Sequence, residues 1–260
     1  MVVKLIACEI AVREFSWAIS QARNVVFPEF LPQGYHDNVE TGRRVIQDCI
    51  DAAEETPAEA VILGYALCSN IAAGLRARTK PLVLLRAHDC ITWFLGSKER
   101  YAAEFEEHPG CYYYTAGWLN VHRSSSQGGP QAASRGWRDR GDPAAAGGTG
   151  AIISGTYEEI VEKYGEDNAQ YLWEMANAWI THYTHGVYVR FPFTDHLDCR
   201  ERVHAICAQN GWEYAEREGD PELFLRWIDG PWDREQFLVV EPGRSIVPTF
   251  DGRIITIAKE

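Results

Sequence analysis

The chain has 260 residues, ordinary apolar and charged fractions of 46% and 24%, and a formal net charge of -12. That acidity argues against nucleic acid or an anionic membrane as the main partner, since both need a basic surface. No stretch approaches the ~20 apolar residues of a membrane span, and MVVKLIACEIAV, with one lysine, has strand length and reads as a first strand, not a signal peptide.

In chain order, residues 2–8 form a Val/Leu/Ile-rich run of the kind buried on both faces of a sheet. Residues 9–35 are aromatic and irregular, with FPEFLPQGYHD carrying two prolines and a glycine. The spacing predicts a helix over 37–55, capped by Asp37 or Asn38, then a strand over 60–65 and a helix over 68–78 with a small-residue face. A strand over 81–85 and a helix over 90–107 follow, with Trp93, Phe94, Tyr101 and Phe105 at core spacing. CYYYTAGWL reads as a further strand with a turn. Residues 123–150 are rich in Gly, Ser and Ala and have little to bury, which suits a flexible loop or linker. The longest helical pattern covers 156–179. After it come a strand at 186–193, a helix at 196–210 capped by Thr194 or Asp195, a strand at 212–217, a helix at 221–228 and a strand at 237–240. Segments 246–250 and 253–257, separated by DG, form a hairpin. The expected fold is α/β: two Rossmann-like lobes with mostly parallel sheets, over 1–122 and 151–260, and a C-terminal β-hairpin.

Three cysteines fall just past three buried-strand patterns: Cys8 after VKLIA, Cys68 after AVILGYAL and Cys90 after PLVLLRAHD. In an open α/β sheet the carboxyl ends of parallel strands share one edge, where ligands bind. A thiol at a helix N-terminus lies in a positive field that lowers its pKa, so Cys68 and Cys90 are expected as activated thiolates. Together with Cys8 they make a candidate soft-metal site, with His88 or His36 as a fourth ligand. The competing reading is core filling, because free cysteine behaves as a small buried hydrophobe. The spacing is not a CxxC pair, so the metal reading rests on topology.

Around these thiols, Gly64 lets the chain bend, Tyr65 and Ser69 flank Cys68, and Ser69 with Asn70 can cap the following helix. Glu9 is a candidate base or ligand partner, Arg86 a cation for a substrate carboxylate or phosphate, and Asp89 a helix cap or a hydrogen-bond partner to a ligand histidine. Cys49 reads as core and Cys111 as buried, while Cys199 and Cys207 lie eight apart in one helix and are not adjacent rungs; Asp195, His196 and Cys199 cluster at that helix start, as an exposed cap or a second site. His182 and His185, three apart in THYTH, share a face near a helix end, as a metal pair would, and the reading preferred is a charged pair favourable to the helix C-terminus. Seven cysteines, an odd count without tight spacing, indicate reduced thiols and a cytoplasmic compartment. Nine tryptophans and twelve tyrosines suggest aromatic-lined pockets or an interface, including that of a homodimer. GxGxxG after a strand, GxxxxGK[ST], HExxH and GxSxG are all missing from the sequence.

The segments ACE, GYALCSN, RAHDC leading to LGS, GWL, YGE, HYT and GPWD…FLVVEPG resemble the DUF1638 family, a set of bacterial and archaeal proteins. The matching positions are Cys8, Glu9, His36, Gly64, Tyr65, Cys68, His88, Asp89 and Cys90. Two departures stand out: Ala66 replaces a glycine of the family pattern, and 123–150 looks like an insertion. The resemblance implies a link to corrinoid-dependent methyl transfer, through genes that lie nearby, and hence a corrinoid-protein partner. Three functional classes follow. The first is a metalloenzyme with zinc, or an iron–sulfur cluster, acting in group transfer on a small-molecule substrate. The second is a two-lobed binding protein without catalysis, and the third an accessory subunit.

Overall fold

The computed structural model describes residues 1–33, 35, 39–120, 161–162, 165–166 and 182–259. The expected flexible segment 123–150, and all but four residues of the expected helix 156–179, lie outside these described residues.

A five-stranded sheet organises the molecule. Its strands are β1 (Val2–Cys8), β2 (Val25–Leu31), β3 (Ala60–Gly64), β4 (Leu82–Leu85) and β8 (Phe237–Val240), in the order β2-β1-β3-β4-β8. The first four run parallel, and β8 closes the edge antiparallel to β4. Alternation on the strands assigns the two faces. Val3, Leu5, Ala7, Ile62, Val83 and Leu85 point into one core, while Ile6, Val61, Leu63, Leu82 and Leu84 point into the other. On β3 and β4, covered on both faces, every position is buried and apolar, which is why these runs do not alternate in the sequence. The first core is roofed by α1 (Val12–Gln21), α3 (Cys90–Leu95) and α7 (Pro221–Asp229). The second is covered by α2 (Val39–Ala52) and by the hairpin of β9 (Ile246–Pro248) and β10 (Ile255–Ile257).

A second, three-stranded parallel sheet joins β5 (Cys111–Tyr114), β6 (His185–Arg190) and β7 (Glu213–Glu218). The helix α6 (Cys199–Asn210) packs on it around a third core containing Cys199 and Cys207. The fold is therefore α/β with mostly parallel sheets and a C-terminal hairpin. The lobe boundaries expected from the sequence do not separate the sheets. β5 belongs with β6 and β7, and β8 completes the N-terminal sheet. Arg217 of β7 also pairs with Glu104 of α4 (Lys98–Glu107) at 2.6 Å.

Four local expectations change. Residues 9–35 hold α1 and β2 rather than irregular chain. The helix expected over 68–78 is a series of turns, because Gly74, Leu75 and Ala77 exchange backbone hydrogen bonds with Arg244 and Ile246 of the hairpin segment. The helix expected over 90–107 breaks into α3 and α4 at Gly96, whose φ of 96° ends α3, and Ser97 caps α4 by accepting from Arg100 N at 3.1 Å. The 196–210 helix starts later, at Cys199, and Asp195 pairs with Arg190 instead of capping it.

Gly64 has a packing role at the end of β3. A Cβ there would lie 2.4 Å from Ala7 Cβ and 2.8 Å from the Phe15 ring. Gly64→Ala is expected to cost about 1–3 kcal/mol by overpacking, read as a lower urea midpoint at unchanged slope.

Candidate functional site

The carboxyl ends of β1, β3 and β4 form one edge, and Cys8 is the last residue of β1. Beyond β3 the chain is tied to the exit of β4, as Leu67 N donates to Ala87 O at 3.0 Å and Cys68 N to His88 O at 2.8 Å. Cys68, Ser69 and Asn70 then take left-handed backbone conformations, with φ of 36°, 53° and 69°. For non-glycine residues this costs on the order of 1 kcal/mol each and clusters at functional sites. The turn places the Cys68 sulfur against the backbone N–H of Cys90, the first residue of α3. Asp89 caps that helix, accepting from Ile91 N at 3.0 Å, and also accepts from the Tyr101 hydroxyl at 3.1 Å.

These thiols face a cavity of about 470 Å³ lined by Cys8, Cys68 and Cys90 together with Tyr65, Ser69, His88 and Asp89. Each of these cysteines is half-buried as a residue, and the three thiols sit close enough to one another for their charges to interact. The expected activation is reversed. Burial pushes the Cys8 and Cys68 thiols up to about 12, and burial likewise raises Cys90, with the Cys68 thiol as the next cause. The Cys90 N–H does lower Cys68, as a helix terminus should, but desolvation outweighs it. In chelator-treated protein at pH 8, iodoacetamide should label Cys8, Cys68 and Cys90 at least about a hundredfold more slowly than in the urea-unfolded chain. Peptide mass spectrometry over time reads this, and equal rates would mean that the thiols titrate in the folded chain as they do when unfolded.

The remaining sequence candidates divide. His88, Asp89, Tyr65 and Ser69 share the cavity with the thiols. His36 lies outside the described residues. Gly64 is packed into the sheet, as above. Glu9 accepts from Gln33 N at 2.7 Å and is not among the described lining residues. Arg86 also stands away from the lining. Its Nε donates to Arg234 O at 3.0 Å, and its Nη1 donates to the carbonyls of Arg253 and Ile255, so it clamps the C-terminal hairpin. Cys49 points to Glu29 Oε1 at 3.3 Å, while Cys199 and Cys207 are buried core. Cys111, read as buried, lines the cavity. His185 begins β6 and donates no helix-end charge, with its Nε2 3.4 Å from Glu213.

Sequence reasoning did not single out the ring system of this cavity. Tyr101 and Tyr113 meet edge-on at 6.0 Å and 88°, and Tyr112 and Tyr183 at 5.2 Å and 86°. The abundance of tryptophan and tyrosine signalled aromatic-lined pockets in general, and the YYY run is the local signal for this one. Buried polar atoms on lining residues, among them Gln33 Oε1, the Tyr65 hydroxyl and the indole nitrogens of Trp93 and Trp118, have no hydrogen-bond partner among the described residues. Among the described residues no helix is long and apolar enough to cross a membrane.

Comparison with known proteins gives one family. The family model described as "Protein of unknown function (DUF1638)" matches residues 30–228, which include Cys68, His88 and Cys90 but not Cys8 or Glu9. No curated protein and no solved structure matches the chain. The family match covers well over half of the sequence, and the chain belongs to the DUF1638 family.

Proposed function

We propose that the cavity at the carboxyl edge of the sheet is the working site of a metal-dependent protein. Cys8, Cys68 and Cys90 take up a thiophilic metal, zinc or an iron–sulfur cluster, and His88 offers a nitrogen donor in the same space. The observation that carries this reading is convergence: three separate strand ends deliver three mutually interacting thiols to one cavity. The donor set fits soft metals, which select thiolate. Among the described residues, no group of three or more His, Cys, Asp or Glu side chains is gathered to hold an ion as it stands. Binding therefore has to draw the thiols inward and displace their protons, which couples metal uptake to proton release.

Such a centre would supply either a deprotonated thiolate for group transfer, including methyl transfer, or an electron-transfer step. A corrinoid protein is the partner that this chemistry and the family resemblance suggest. The protein's own groups do the rest: Asp89 fixes the start of α3 and thereby Cys90, and aromatic side chains line the space around the thiols. A second reading, a small-molecule binding protein without catalysis, is favoured by the cavity's size and its aromatic walls. Elemental analysis of anaerobically purified protein, with a visible spectrum, separates the two. About one zinc per chain without colour supports group transfer, and iron with broad absorption supports redox chemistry. Metal-free protein leaves the binding reading.

A further inference from the structure

The tie between the exits of β3 and β4 does more than close the sheet edge. Cys68 N donates to His88 O at 2.8 Å, which sets Cys68 beside the chain just before Cys90. The Cys68 sulfur then meets the backbone N–H of Cys90, and the Cys90 sulfur folds back on that same N–H. Two acceptors of one N–H stand next to each other, so these sulfurs are neighbours. Cys8 is set differently: its sulfur turns to the N–H of Ile10, and its charge acts on Cys90 less than that of Cys68 does. The Cys68 arm is also the adjustable one. It lies in a run of turns, outside any helix or strand, with left-handed φ of 36°, 53° and 69° at Cys68, Ser69 and Asn70. Small backbone shifts there break no helix or strand ladder on the way to the ~2.05 Å of a sulfur–sulfur bond.

We infer that Cys68 and Cys90 are a redox pair that closes to a disulfide inside the cavity, and that closure switches off its capacity for metal. A small disulfide from solution is the oxidant. One cysteine attacks it as the thiolate, forming a mixed disulfide and releasing one small thiol. The second cysteine attacks the protein sulfur of that bond and releases the other. The protein pair gives up two electrons and two protons, and the small disulfide takes them as two thiols. Burial slows the exchange, since the attacking sulfur must ionise, but it does not oppose the product, because a disulfide carries no charge to desolvate. The bond removes two of the three thiolate donors and leaves Cys8 alone. The pair follows from the backbone geometry, and its effect on metal rests on the reading of this cavity as a metal site.

The test incubates the metal-free full chain with bis(2-hydroxyethyl) disulfide at pH 8, quenches it in acid and alkylates the remaining thiols in urea. Digestion without reductant uses trypsin and a glutamate-specific protease, which separates Cys49 from Cys68. A Cys68–Cys90 peptide pair should be the main linked product, about tenfold or more above any other, whereas the urea-unfolded chain should spread its links over many pairs. The link should survive Cys8→Ser and Cys111→Ser. The linked chain should bind zinc about tenfold or more weakly than the reduced chain in equilibrium dialysis, and dithiothreitol should restore the affinity. A main link to Cys8 or Cys111, or mixed disulfides that never close, would overturn the pair. A Cys68–Cys90 link that leaves zinc affinity unchanged would overturn the switch. Zinc binding that Cys68→Ser abolishes, in a chain that never links, would overturn the inference and leave the metal proposal standing. A link in a chain whose reduced form takes up no metal would retire the metal proposal and keep the redox pair.

Discussion

Cys68→Ser and Cys90→Ser are each expected to fold and to lose bound metal. Serine keeps nearly the same shape, and both thiols border the cavity, so the cost to packing is small. The donor changes completely, since a hydroxyl is a hard, un-ionised oxygen where a soft metal needs sulfur. Disturbing a partner of a ligand already costs about 10–100-fold in metal affinity, and losing one thiolate of three should exceed that. Metal per chain after gel filtration should fall by about tenfold or more in both variants, with circular dichroism unchanged. Cys8→Ser should behave alike, because its sulfur belongs to the same interacting trio. Cys49→Ala is the control: its thiol bonds to Glu29, and it is not among the described lining residues, so metal content should hold. If the serine variants keep full occupancy, the three thiols are not the ligands, and the cavity is a binding site with buried, protonated cysteines.

The position of this site was legible in the sequence because it follows from sheet topology. Short Val/Leu/Ile runs mark strands buried on both faces, and residues just past their ends share one edge, which is how Cys8, Cys68 and Cys90 come to one cavity. The chemistry of the thiols was not legible. A helix N-terminus can be read locally, but desolvation depends on everything packed around the sulfur, and here it dominates. Arg86 misleads for a similar reason. It follows a buried strand as a substrate-binding cation would, yet its donors are taken by carbonyls about 150 residues or more further along the chain. The 68–78 segment has helical composition, but the distant hairpin claims its backbone hydrogen bonds. That β8 crosses back to the first sheet was not legible either, because nothing in FLVV specifies which sheet it will join.

The overlooked helix α1 shows most clearly how one residue can hide an element. Its apolar face contains Phe15 and Ala18, but Glu14 interrupts the pattern, and Glu14 is itself fully buried. Neither carboxyl oxygen has a hydrogen-bond partner, and burial raises the group from its ordinary 4.5 to about 7. The consequence for stability has a definite sign. Below 4.5 the group is protonated in both folded and unfolded chains and has no effect. Between 4.5 and about 7 the folded chain holds a proton that the unfolded chain has released, so stability falls as pH rises. Above about 7 the loss is complete and amounts to about 3 kcal/mol. Glu14→Gln removes the titration while keeping size and polarity. It is expected to stabilise the protein at pH 8 by about 3 kcal/mol, with the gain shrinking steadily toward pH 5. Urea unfolding of both proteins across that range measures it. A gain that does not change with pH would mean that Glu14 keeps an ordinary titration in the folded chain, and that its burial is compensated by a charge partner.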